Sequence, residues 1–133
     1  MGPNEKVLRK IYEDYAKGDI DAVLALFADD VVVKSVGAPN RIDHAGEWRG
    51  PDGVRGFLAA IAGNWAFEKI EMLEMIAAND TRFAVRTAVT GVHASTGGRV
   101  HVERVDFVTM KDGKCKSYME IFDTSPLERA SRL

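Results

Sequence analysis

The apolar period of this chain changes once, near Gly63, from three-to-four residues before it to two residues after it. That switch rules out an all-helical bundle and an all-β sandwich together and predicts an α+β arrangement, helices first. Val7, Leu8, Ile11, Tyr12 and Tyr15 form one helical face, with Asn4 expected as N-cap. Gly18 closes that helix, and Asp19 caps a second one carrying Ile20, Val23, Leu24 and Phe27. Asp29-Asp30 breaks the pattern, Val31–Val33 reads as a strand, and a loop runs from Gly37 to about Gly46. Gly50-Pro51-Asp52 opens a third helix with Val54, Phe57, Leu58 and Ile61 on its apolar face, stopped at Gly63-Asn64.

The second half reads as a strand meander. Phe83, Val85, Thr87 and Val89 alternate with Arg82, Ala84, Arg86 and Ala88, and Val100–Met110 is rich in β-branched and aromatic residues. Asp112-Gly113 is a strong hairpin signal, because both turn positions need positive φ. Phe67–Ala77 favours helix by its Glu, Lys, Met and Leu content, with broken alternation. It is read as a strand because three helices followed by a meander make a coherent whole. The expectation is one domain over residues 1–133, with three helices covering the concave face of a curved antiparallel sheet. Such a cone leaves an apolar pocket between sheet and helices.

Composition narrows the partners. Eighteen Lys+Arg against twenty Asp+Glu argue against a nucleic-acid binder. No apolar run approaches the ~20 residues of a membrane helix, and no secretory signal is visible, so the cytoplasm is the expected compartment. The single Cys115 excludes an intramolecular disulfide. No phosphate-binding glycine loop is present, and His44 and His93 lack partners at ligand spacing, so neither cofactor nor metal is expected.

The stretch from Tyr15 to Val31 resembles the opening of the nuclear transport factor 2-like superfamily, and within it the SnoaL-like group. Trp48-Arg49-Gly50 with Val54–Phe57, Asp106–Lys114 and Glu120–Asp123 resemble that family's third helix and last hairpin. The group is related to polyketide cyclases, ketosteroid isomerases and limonene epoxide hydrolases. The resemblance covers roughly residues 5 to 124 and implies a cone-shaped, cystatin-like fold around a pocket for a small apolar or partly polar ligand. The isomerases' base falls on Ser35, their helix tyrosine on Ile11 and their second oxyanion donor on Asp106. Ketosteroid isomerisation is therefore not expected. The epoxide hydrolases' arginine falls on Arg86, but its partner position is Ala88, and their last-strand acid falls on Glu120. In the cyclases one pocket acid suffices, a role open to Asp106 or Glu120.

An acid in an apolar strand must be paired, hydrogen-bonded or neutral, and desolvation raises its pKa, which makes both acids candidate catalytic residues. A plain two-residue hairpin at Asp112-Gly113 would pair 106 with 119 and put the two acids on opposite faces; a bulge would change this. Asp106, with apolar neighbours on both sides and at the place of the family's hairpin acid, is the preferred proton-transfer group; Arg104, sharing its strand face, would compete by lowering its pKa, and Glu120 would then inherit the role. Ile11, Tyr15, Phe27, Trp48, Leu58, Arg86, Tyr118 and Phe122 are expected around the pocket. His101 and Glu103 read as a polar pair on the wet face, and Cys115 as a small core side chain. Two functions follow: cofactor-independent acid/base chemistry on a small, largely apolar molecule, or a non-catalytic ligand-binding or dimerisation module. A homodimer through the sheet is expected, from an outer face carrying Val105 or Phe107.

Overall fold

In the computed structural model, which describes residues 1–132, the apolar spacing forms three helices near where the sequence predicts them, except that the second ends at Ala25 and Phe27, expected on it, opens a strand. These are α1 (Pro3–Ala16), α2 (Ile20–Ala25) and α3 (Gly50–Asn64). Gly2, not Asn4, is the N-cap of α1, with Pro3 opening the helix. Asn4 is used tertiarily instead: its Nδ2 donates to the Asp80 carbonyl at 2.9 Å and its Oδ1 accepts from Gly113 N at 2.8 Å. Asp19 caps α2 as expected, accepting from Ala22 N at 3.2 Å.

The strands are β1 (Phe27–Ser35), β2 (Gly46–Arg49), β3 (Trp65–Ala77), β4 (Arg82–His93), β5 (Arg99–Lys111) and β6 (Lys114–Phe122). They form one sheet in the order β2-β1-β6-β5-β4-β3. Neighbours run antiparallel except β1 and β6, which are parallel. The chain can make that parallel pair because one helix, α3, and four strands intervene between β1 and β6.

The Phe67–Ala77 segment is a strand, and its broken alternation has a cause. Register shifts fall between Phe67 and Lys69 and between Met72 and Glu74, so the face presented to the core changes along β3. Met72 and Met75 still pack on the core. The break at Asp29-Asp30 becomes an irregularity inside β1, between Phe27 and Val32.

A short helix, α4 (Thr124–Ala130), follows the meander and was not foreseen. Asp123 caps it, accepting from Ser125 N at 3.1 Å, and Leu127 and Ala130 bury against Ile42, Ala45, Trp65 and Val100. This second cluster also folds the 36–45 loop inward through Ile42 and Ala45. The main core joins Leu8, Ile11, Val23, Val54, Phe57 and Ile61 of the helices to Val31, Val33, Val85, Val108 and Met110 of the sheet. Each large apolar side chain so buried contributes about 1.5–3 kcal/mol. Among the described residues no helix is long and apolar enough to cross a membrane.

Candidate functional site: a buried Arg–Asp–Glu cluster between two cavities

The hairpin turn forms as predicted, with Asp112 at φ 51° and Gly113 at φ 75°. The register beyond it does not follow the simple hairpin. Lys111 pairs with Lys114 and Met110 with Cys115, then a shift beside Lys116 brings Thr109 opposite Ser117. One extra residue in β6 reverses which face each later side chain takes. Asp106 therefore pairs with Glu120, and both acids point inward rather than to opposite faces. The same rung continues into β1, where Ser35 pairs with Glu120.

The inner face converts this register into a hydrogen-bonded cluster. Arg104, two residues before Asp106 and so on the same face, clamps it with Nε to Oδ1 at 2.8 Å and Nη2 to Oδ2 at 3.1 Å. Tyr12 of α1 donates its hydroxyl to Asp106 Oδ2 at 2.5 Å. Glu120 accepts from Ser35 Oγ at 2.6 Å and from the Tyr118 hydroxyl at 3.1 Å, and its Oε2 lies 3.4 Å from Arg104 Nη1. Asp106 is 0% exposed and Glu120 2%. Two buried acids share one partly buried arginine.

Electrostatics follow from burial and from that sharing. Burial raises the Asp106 pKa, Arg104 pulls it down, and nearby Glu120 pushes it up again, leaving it above the ordinary value. Burial opposes the charge on Arg104, but Tyr118, Asp106 and Glu120 outweigh it and hold the guanidinium well above its ordinary pKa. Burial also drives the Tyr12 and Tyr118 hydroxyls well up, so both stay protonated donors. Cys115 is pushed up to about 12 by burial, which leaves it an inert thiol in the core.

Two cavities meet at this cluster. The first, about 60 Å³, lies between α1, α3 and the sheet, with Leu8, Ile11, Tyr12, Tyr15, Phe27, Leu58 and Tyr118 on its walls. The second, about 40 Å³, lies toward α4, between His44, Trp65, Val89, Val100, Phe122 and Leu127. Arg104 and Glu120 belong to the walls of both, and Glu120 is the acid on each among the described residues; Asp106 is on neither.

The expected pocket residues divide accordingly. Ile11, Tyr15, Phe27, Leu58 and Tyr118 line the first cavity and Phe122 the second. Trp48 backs the wall instead: its ring packs 6.1 Å from that of Phe57, and its Nε1 donates to the His44 carbonyl at 3.1 Å. Arg86 is a correction. Its strand neighbours Val85 and Thr87 face inward, so alternation puts Arg86 on the outer face, where it pairs with Glu74 and Glu103. His101 is exposed beside Thr90, as its reading as a wet-face residue expects.

Ser35, at the position of the isomerases' base, and Arg104, the expected competitor for Asp106, both join the cluster, and Tyr12 and His44 join it unexpectedly. Tyr12 is the residue after the position to which the resemblance assigned the helix tyrosine, and its place on the apolar face of α1 was its signal. Among the described residues, no three His, Cys, Asp or Glu side chains converge as a metal site would require.

A helix-lined cone over a curved sheet, with polar groups deep in an apolar cavity, defines the nuclear transport factor 2-like class. Solved structures share the fold over the whole chain. An NTF2-like protein of unknown function from Burkholderia pseudomallei K96243 matches with TM-score 0.87 at 21% identity, covering 100% of each chain. An NTF2-like protein from Burkholderia xenovorans LB400 matches at 0.83 and 24% identity, over 98% of this chain and 96% of its own. TerC, co-crystallised with polyporic acid, matches at 0.84 and 22% identity, over 99% and 100%. No curated protein matches the chain in sequence. The family model of the SnoaL-like domain matches residues 8–118, and the chain belongs to that family.

Proposed function

We propose that this protein binds a small, largely apolar molecule in the first cavity and performs cofactor-independent acid/base chemistry on it. Isomerisation, cyclisation, hydration and dehydration are the reaction classes in play. The observation that carries this reading is Glu120, the one carboxyl on the largely apolar wall of the first cavity among the described residues, with the Arg104 guanidinium 3.4 Å away. A carboxylate there takes a proton from a bound carbon acid and returns it. Arg104 offsets the negative charge that develops as the proton leaves. Asp106, clamped by Arg104 and Tyr12 and set behind the walls, holds that arginine in place. The proton-transfer role thus falls to Glu120, and Asp106 is the positioning residue. TerC's co-crystal with polyporic acid supports a small-molecule use of the fold.

The sheet's outer face supports a homodimer. Phe107 pairs with Met119 and Val105 with Ile121 on that face, and Phe107, Met119 and Ile121 are each about 40% exposed.

Native mass spectrometry of freshly purified protein tests the ligand reading. The expected spectrum carries a small-molecule adduct that Leu58→Trp, filling the first cavity, removes. An adduct that survives Leu58→Trp would place the ligand elsewhere and overturn the assignment.

A further inference from the structure

An apolar cavity of about 150 Å³ takes one benzene ring. The first cavity, at about 60 Å³, therefore holds one end of a ligand rather than the whole. The rest has a place to go. The last turn of α1, the α1–α2 turn, the end of α3 and the start of β3 enclose an open groove of about 620 Å³. Its apolar wall is Tyr15, Ala16, Ile20, Ala62, Phe67 and Ile70. Tyr15 lies on the walls of both groove and cavity, and so stands where one gives way to the other. Along α3, Ile61 faces the cavity and the next residue, Ala62, the groove. No side chain crowds the mouth at Gly18, which turns the chain at φ 76° and has no atom within 4 Å of where a Cβ would stand. On the far wall, the Phe67 ring lies against the bare backbone of its ladder partner Gly91, where a Cβ would meet it at 2.9 Å. That seat holds an aromatic ring 37% exposed on the groove. An exposed apolar hollow that runs on into a cavity with a buried acid has the form of a binding site.

We propose that this groove seats the tail of the ligand whose reacting end enters the first cavity, so that the substrate class is an elongated, uncharged carbonyl compound with an apolar chain. The inference rests on the first-cavity reading and gives its substrate a shape. The two charges on the groove wall are already taken: Glu68 pairs with Arg99 at 2.7 Å and Lys69 with Glu71 at 3.3 Å. Neither is left over to recognise an opposite charge, so the wall favours a tail without one. Each methylene that leaves water for the apolar wall gains about fourfold in affinity. Tyr15, at the neck, sets the width of what passes from groove to cavity.

The test titrates the full chain, labelled with nitrogen-15, with 2-butanone, 2-hexanone and 2-octanone, following the backbone N–H signals of Ala16 and Ala62. 2-Octanone is expected to shift both signals and, with two more methylenes, to bind about 15-fold tighter than 2-hexanone. Ala62→Trp, at an exposed position of α3, fills the groove and is expected to remove that gain. Affinities that do not rise along the series, no shift at Ala16 and Ala62 with 2-octanone, or a gain that survives Ala62→Trp overturns the proposal. The series in the unmodified chain decides the matter whatever the stability of the variant. Failure of the first-cavity reading shows separately: 2-butanone would then bind Leu58→Trp as tightly as the parent chain.

Discussion

Asp106 and Glu120 stand opposite one another on the β5–β6 ladder, and a single arginine, Arg104, holds both. Each acid depends on that cation to offset its removal from water. Breaking a buried ion pair at one partner is strongly destabilising, because it strands the other charge. Arg104→Leu is expected to lower the unfolding free energy by about 3–5 kcal/mol at pH 7, read from urea denaturation. A loss below about 1 kcal/mol would mean that the cluster is not a charged network.

The raised pKa of Asp106 fixes the sign of one pH effect. The folded chain holds that proton more tightly than the unfolded chain, so its contribution to stability is greatest at low pH. It is lost as pH climbs from the ordinary value of 3.8 through the raised folded value. Asp106→Asn removes this slope. Its deficit against the parent chain should therefore shrink as pH rises from 4 to 7; a deficit that grows contradicts the direction of the shift.

His44 acts in the opposite direction. Its folded pKa of about 4 lies below the ordinary 6.5, so the unfolded chain binds the extra proton first. The stability linked to neutral His44 is fully present above pH 6.5 and is lost as pH falls toward 4, by up to about 3 kcal/mol. His44→Phe should flatten unfolding free energies measured across that window. An unchanged slope would show that the imidazole is hydrated in the folded state.

Gly98 marks the contact that seats α4. A Cβ there would meet the Ala130 carbonyl oxygen at 2.3 Å and its Cα at 2.8 Å, both backbone atoms. Gly98→Ala is expected to cost about 1–3 kcal/mol by displacing α4. Thermal denaturation checks it, and a neutral substitution would show that α4 is loosely held.

The outer sheet face makes a prediction about assembly. Sedimentation at tens of micromolar protein, a concentration above typical dimer dissociation constants, is expected to show a dimer. Phe107→Lys, at the centre of the exposed apolar patch, is expected to give a monomer. A monomeric parent chain would leave the patch without this role.

Particular residues show what could be read from sequence. Helix spacing such as Leu8, Ile11 and Tyr15 placed α1, and Asp112-Gly113 placed the last turn, because both signals are local. The face of Glu120 was not legible, since one bulged residue beside Lys116 decides it and a bulge leaves no composition cue. Arg86 was drawn to the pocket by resemblance, although its own alternation with Val85 and Thr87 sends it outward. His44 is a loop residue, as its sequence context implies, but its burial depends on Ile42 and Ala45, which fold the loop onto α4 and leave no local cue. The helix α4, of 7 residues, is too short to announce itself and relies on Leu127 and Ala130 for its stability.

The central claim is that Glu120 moves a proton at the wall of an apolar cavity, and exchange at a carbon acid reads it most directly. Small apolar ketones such as 1-indanone, incubated in heavy water with the protein, report α-deuteration by proton NMR. The parent chain is expected to accelerate exchange above buffer, and Glu120→Gln to lose roughly 100- to 10,000-fold of that acceleration with the fold intact. Equal rates in the parent chain and Glu120→Gln, or no acceleration by either, would contradict the claim.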